Sequence, residues 1–324
     1  IMPAYTFVAT ATAALEIGAI PVFADIDPQT YTIDPDHAAA CVTPRTRAII
    51  PVHLGGRPAD MDAILALAAR YDLVVVEDAA QSWGTTWKGT KVGALGHNGS
   101  FSFQASKNIT AGEGGMILSN DPAIAAMARS LSNCGRRPDG VWYAHYVLGG
   151  NYRLSEFHGA ILRVQLRRYP HQLLRRQANA AYLEQVGSEL EGLTTLSQDC
   201  RVTSNAYHLF FLQYHPEAFG GASKDRFLAA LRAEGIDGVH PGYSLPVYRQ
   251  PVLLSENFGL ATPPLFRGVY PHVPDYSAID LPVTARACTE EAIWLQQRML
   301  LGTRRDMDDI VEALCKIQRH SDEL

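Results

Sequence analysis

Apolar residues along the chain follow two rhythms, short unbroken runs and longer stretches with a three-to-four spacing. The runs at residues 20–24, 48–52, 73–77, 100–103 and 116–119 predict strands. Between them, residues 8–17 form an Ala/Thr-rich stretch closed by Gly18. Residues 60–71 place Ile64, Leu67, Ala68 and Tyr71 on one helical face, and residues 122–131 open on Pro122, where a first helical turn tolerates proline. Strand and helix in turn predict an α/β domain wound around a mostly parallel sheet. A long helical stretch, 155–186 with a break expected near Pro170, leads away from it. Residues 209–214, 224–234 and 289–300 then predict a smaller α+β domain, so the division expected is 1–190 and 191–324. The Gly- and Pro-rich segments between Pro241 and Pro282 read as loops, and the chain shows neither internal repeat nor low-complexity tract.

The 324 residues are 47% hydrophobic and 19% charged, enough to bury a substantial core. A net charge of −5 offers no basic surface for nucleic acid or an anionic membrane, which favours small-molecule chemistry. Cys41, Cys134, Cys200, Cys288 and Cys315 are widely spaced and contain no Cys-x-x-Cys pair. That spacing argues against a zinc site or a disulfide framework and suits a reducing compartment. No run is long and apolar enough to span a bilayer. Without an export signal, the terminal Ser-Asp-Glu-Leu is a chance likeness to a retrieval signal, and a cytoplasmic location is expected.

Two of the apolar runs end on groups able to do chemistry. Val74-Val75-Val76-Glu77-Asp78 stops at an acid, and Ser100-Phe101-Ser102-Phe103-Gln104-Ala105-Ser106-Lys107 reaches a lysine 29 positions later. In an open α/β sheet the carboxyl ends of strands border the ligand crevice, so both side chains are expected there. A lysine amine can form a Schiff base with an aldehyde cofactor, and a carboxylate can keep a pyridine nitrogen protonated. The pair therefore points to pyridoxal 5′-phosphate, although a lone lysine after a strand is ordinarily a surface residue and Asp78 alone could be a helix cap. The glycines around Glu113 do not form a Gly-x-Gly-x-x-Gly fingerprint and predict a tight turn; they assign Glu113 no role. His53, His208 and His240 lack metal-ligand spacing and read as core or loop histidines, with substrate contact an option for His208 and His240. No metal is expected.

Taken together, Pro3-Ala4-Tyr5-Thr6-Phe7-Val8-Ala9-Thr10, Thr43-Pro44-Arg45-Thr46-Arg47-Ala48-Ile49-Ile50-Pro51-Val52-His53, Glu77-Asp78-Ala79-Ala80-Gln81, Ser106-Lys107-Asn108 and Gly149-Gly150-Asn151-Tyr152-Arg153-Leu154-Ser155-Glu156 resemble the DegT/DnrJ/EryC1/StrS sugar aminotransferase family. Thr110-Ala111-Gly112-Glu113-Gly114-Gly115 and Leu295-Gln296-Gln297-Arg298-Met299-Leu300-Leu301 look closest to its branch of aminohydroxybenzoate synthases and cyclitol aminotransferases. The resemblance implies the fold type I architecture of pyridoxal-phosphate transferases. It implies that Lys107 carries the cofactor and moves the proton, that Asp78 pairs with the pyridine nitrogen, and that Gln81 meets the phenolic oxygen. Phe7 would stack on the ring, Ser102 would donate to the phosphate, and Asn151 would reach the phosphate of a neighbouring subunit, so that a homodimer shares its active sites.

The implied reaction moves an amino group from glutamate or glutamine to a keto sugar, nucleotide-linked, or to a keto cyclitol. Two alternatives stay open: an aromatising dehydratase like aminohydroxybenzoate synthase, and a non-catalytic relative that keeps the fold. Family members carry a further segment ahead of the Pro-Ala-Tyr-Thr run, with a Ser/Thr loop that cradles the cofactor phosphate, and the native protein is expected to have it.

Overall fold

The computed structural model describes residues 1–187, 189–254 and 275–324. Part of the region expected to be loops, residues 255–274, lies outside them.

The first layer is a four-stranded sheet in the order β1–β2–β3–β4, made of β1 (Ala48–Ile49), β2 (Val74–Asp78), β3 (Asn98–Ser102) and β4 (Gly115–Leu118). β1, β2 and β3 run parallel, with Asp78 opposite Ser100, while β4 returns antiparallel and sets Gly115 against Ser102. Parallel strands finish at the same edge, so Asp78 and Ser102 emerge side by side from the carboxyl end of the sheet.

Helices cover this sheet, and their ends follow the local chemistry. Helix α1 (Ala9–Glu16) buries Thr10, Ala11, Ala14 and Leu15. Helix α2 (Met61–Tyr71) starts where the Asp60 carboxylate accepts the Ala63 amide and buries Met61, Ile64, Leu67 and Ala68. These four pack with Ile49, Leu73 and Val75 in one core. Helix α3 (Pro122–Ser132) has Pro122 in its first turn and the Asp121 carboxylate accepting from Ala123.

Helix α4 (Glu156–Gly187) runs straight through Pro170, where the sequence predicts a break. An interior proline costs roughly 3 kcal/mol. The burial of Tyr169, Arg176, Ala180 and Leu183 on the same helix offsets that cost, so packing overrides the local rule.

The second layer is an antiparallel sheet in the order β7–β8–β6–β5, formed by β5 (Leu193–Thr195), β6 (Leu209–Tyr214), β7 (Val239–His240) and β8 (Ala292–Gln296). Helix α5 (Lys224–Ala233) begins at the Ser223 cap, and helix α6 (Arg304–Arg319) begins at a reciprocal Thr303–Asp306 capping box. Phe210, Leu212, Phe227, Leu231, Ile293, Met307 and Ile310 form this layer's core together with Ala180 and Leu183 of α4. A further cluster joins Tyr5, Tyr31 and Leu54 to Phe211, Cys288 and Ala292. That cluster ties the two layers together beside the edge where Asp78 emerges.

Candidate active site

Asp78 is fixed before any ligand arrives. The Asp78 amide donates to Pro51 O, the His53 amide donates to Asp78 O, and the side chain accepts Thr10 Oγ1 at 2.8 Å and the Ala80 amide at 3.1 Å. Thr10 is itself hydrogen-bonded to Thr6, four residues earlier and ahead of the helix. No described cation lies within ion-pair distance of Asp78, so its carboxylate retains capacity for a charged donor.

Directly behind it, Glu77 and His53 are both fully buried, and Glu77 Oε2 lies 2.9 Å from His53 Nε2. His53 Nδ1 accepts the Ala59 amide, which leaves Nε2 carrying the hydrogen donated to Glu77. Glu77 also accepts amides from Gly93, Leu95 and Gly96. Burial acts to raise its pKa, but His53 and these amides outweigh that and hold the carboxyl below its usual range.

Lys107 follows β3 in a turn closed by its own amide donating to Gln104 O at 2.9 Å. Burial lowers its amine below the ordinary lysine value, with the Asp78 charge partly opposing. Lys107 is half-buried, and a fully buried lysine makes a useful contrast. Lys224 is also lowered by burial, yet its Nζ donates to the carbonyls of Pro241 and Cys288, and it does not line the cavity that Lys107 enters.

That cavity, about 660 Å³, brings together Phe7, Asp78, Gln81, Ser102 and Lys107. Gln81 Oε1 accepts the Gly55 amide at 2.6 Å, and its Nε2 donates to Tyr243 Oη at 3.2 Å. Gly55 has φ +64°, and a Cβ there would come within 2.4 Å of the Phe211 ring, so glycine alone fits. Ser102 Oγ accepts the Gln104 amide. Phe7 is 58% exposed and offers an aromatic surface inside the cavity. Asn151 is different: it is exposed, its segment bridges to Asn133, and it does not line the cavity of its own chain.

Several lining residues escape sequence reasoning. Thr10 left a faint signal, a threonine four positions after Thr6, whereas Tyr243, Trp294, Gln296, Gln297 and Arg298 arrive from distant segments. His208 and His240, which the sequence leaves as core or loop histidines with a substrate option, both line the cavity. Asn108 Nδ2 donates to Ala206 O, so its Oδ1 faces His208 Nδ1 at 3.0 Å and that nitrogen carries the hydrogen. Burial, with Lys107 and Arg176 adding to it, pushes His208 down to about 3. It is neutral at any physiological pH, with Nε2 a bare acceptor.

The donor set fits pyridoxal 5′-phosphate. An amine with lowered basicity can condense with an aldehyde, a carboxylate held in place without a cationic partner suits a protonated ring nitrogen, and the Ser102 hydroxyl, which accepts the Gln104 amide, keeps its hydrogen for a phosphate. Among the described residues no His, Cys, Asp and Glu group could hold a metal ion, and no described helix is long and apolar enough to cross a membrane.

Comparison with known proteins agrees with this chemistry. The model of the DegT/DnrJ/EryC1/StrS aminotransferase family matches residues 1–315. A Streptoalloteichus tenebrarius protein, provisionally named an L-glutamine:3-amino-2,3-dideoxy-scyllo-inosose aminotransferase, is 38% identical over 324 residues, covering 99% of this chain and 77% of the relative. The L-glutamine:scyllo-inosose aminotransferase of Streptomyces griseus is 36% identical over 331 residues, covering 98% and 76%. Among solved structures, 3-amino-5-hydroxybenzoic acid synthase superposes with a TM-score of 0.83 at 28% identity, covering 98% of this chain and 79% of that one.

Proposed function

The chain belongs to the DegT/DnrJ/EryC1/StrS aminotransferase family, whose cofactor is pyridoxal 5′-phosphate, and from that premise we propose that it transfers the amino group of L-glutamine to a keto cyclitol, with a nucleotide-linked keto sugar as the alternative acceptor. The observation that carries this reading is the convergence of Asp78 and Lys107 on one cavity, the first without a cationic partner and the second with its basicity lowered. The names of the relatives support a glutamine donor and a keto-inosose acceptor.

When bound, the cofactor supplies an aldehyde that carries the amino group between substrates and a ring that takes up electron density. Each remaining task falls to a side chain on the cavity wall. Asp78, pinned by Thr10, would hold a proton on the ring nitrogen through a charge-assisted contact. Gln81, clamped between Gly55 and Tyr243, would present its amide to the ring oxygen. Ser102 would donate to the phosphate and Phe7 would cover the ring face. Lys107 Nζ, once released, would take the proton from the donor's α-carbon and later deliver one to the acceptor carbon. Low basicity suits that work, because a neutral amine is the form that accepts a proton.

A homodimer in the cytoplasm completes the proposal. Trp142, Leu148, Tyr152 and Phe157 are 80% exposed or more in one chain, and they flank Asn151. Burying that face against a second copy would carry Asn151 toward the other copy's cavity. The structural likeness to 3-amino-5-hydroxybenzoic acid synthase favours a second reading, an aromatising dehydration by the same lysine.

The test is spectroscopic. L-Glutamine should bleach the visible absorbance of the holoprotein and scyllo-inosose or a nucleotide-linked keto sugar should restore it. A visible band unmoved by any amino acid would defeat the aminotransferase reading, and turnover of an aminodehydroshikimate instead would establish the second.

A further inference from the structure

We infer that Arg298 is the receptor for the α-carboxylate of the amino donor, an inference that rests on the aminotransferase reading and deepens it. The cavity wall carries one lysine and one arginine, Lys107 and Arg298. Lys107 is committed to the chemistry. His208 is held neutral, and His240 is lowered by burial with Arg232 and Arg298 adding to the effect. An amino acid entering this cavity brings a carboxylate that needs a cationic partner, and among the described lining residues Arg298 is the one available.

Its surroundings prepare it for that task. Arg298 Nε donates to Gln296 Oε1 at 2.8 Å. With Oε1 so engaged, Gln296 Nε2 turns to His240 Nε2 at 2.8 Å, which must accept and so keeps its hydrogen on Nδ1. A relay from β7 through β8 thus orients the guanidinium, and neither Nη atom has a hydrogen-bond or ion-pair partner among the described residues. Two parallel N–H donors on a planar fork match a carboxylate. Arg298 is exposed and lies where the cavity meets a neighbouring groove of about 690 Å³. That groove is lined with Asp306, Asp309 and Glu312 beside a Lys316–Glu234 ion pair, and the three unmatched acids would turn an anion back toward the cavity.

A keto cyclitol has no carboxylate, so the arginine distinguishes the two substrates that must share one cavity. The donor engages it and the acceptor does not. Loss of a charge-assisted pair of this kind weakens binding by about 10- to 150-fold, and the exposed position makes the contact sensitive to salt.

The experiment compares R298Q and R298K with the parent protein in two half-reactions, followed by the cofactor's visible absorbance. One uses L-glutamine and the other uses scyllo-inosamine, an amine without a carboxylate. For R298Q the ratio of kcat/KM between glutamine and inosamine should fall 10-fold or more, chiefly through KM, with R298K recovering part of it. In parallel, calorimetry should show glutaramic acid, which is glutamine without its amine, binding R298Q at least 10-fold more weakly. An unchanged ratio and unchanged glutaramic acid binding would overturn the assignment alone. A loss confined to a nucleotide-linked amino sugar would also overturn it, by showing that the arginine serves a phosphate. A parent protein inert to every amine would overturn the aminotransferase reading and the assignment with it.

Discussion

Replacing Glu77 by glutamine preserves size and shape while removing a charge, so it isolates what the buried carboxylate does for the sheet edge that carries Asp78. Oε2 accepts Gly93 N at 2.6 Å and His53 Nε2 at 2.9 Å, and Oε1 accepts Leu95 N at 2.8 Å and Gly96 N at 2.6 Å. Whichever way a glutamine amide turns, its NH2 faces two of these donors. His53 cannot relieve the conflict by moving its hydrogen, because Nδ1 already accepts the Ala59 amide. Two lost hydrogen bonds at a fully buried site, each worth about 1–3 kcal/mol, predict E77Q to be destabilised by about 2–6 kcal/mol. Urea denaturation at fixed protein and cofactor concentration measures the difference.

The same contacts make the effect pH-dependent. The folded-state pKa of Glu77 lies below its unfolded value, so the parent's advantage is complete above the unfolded pKa and is lost as pH falls through the folded one. The advantage should be at full strength at neutral pH and shrink below about 4.3, the ordinary glutamate value. A variant within about 1 kcal/mol of the parent at pH 7, less than one buried hydrogen bond, would show that the carboxylate does not anchor these donors, as would an advantage indifferent to acid.

Three further outcomes follow from the geometry. D78N keeps the Thr10 contact but cannot hold a proton on the ring nitrogen; kcat for transamination should drop by 100-fold or more, about 3 kcal/mol of transition-state stabilisation, and stopped-flow absorbance would show it. G55A must place a Cβ within 2.4 Å of the Phe211 ring at φ +64°, so it should lose about 1–3 kcal/mol of stability and weaken cofactor retention by disturbing Gln81, read by denaturation and cofactor release. W142D combined with F157D puts charges at two exposed aromatic positions. Sedimentation should show a monomer with little activity, and a dimer retaining activity would contradict the shared-site proposal.

The parts legible in the sequence are those where one local segment carries the signal. Val74 to Asp78 announces both a strand and the acid at its end, and Ser100 to Lys107 does the same for the lysine. The helix opening at Pro122 is legible because a proline's place in the first turn is a local preference, whereas the caps supplied by Asp60 and Asp121 emerge only in the structure. Pro170 misled for the complementary reason. Its local preference is real, but the buried residues of α4 outweigh it. The strands Thr86–Trp87, Thr90–Lys91 and Val202–Ser204, two or three residues long, are too short to display a period. Tyr243 lies in a stretch whose glycines and prolines suggest only a loop, yet it meets Gln81 across 162 positions. Arg298 and Gln297 sit just past β8, and nothing local shows that the two layers close around Lys107 there.

Borohydride reduction of the holoprotein, followed by peptide mapping, would identify the lysine that carries the cofactor. A pyridoxyl group should appear on Lys107 and none on Lys224, which is more deeply buried and already engaged by two carbonyls. A label on Lys224 or any other lysine, or no label at all, would contradict that role for Lys107.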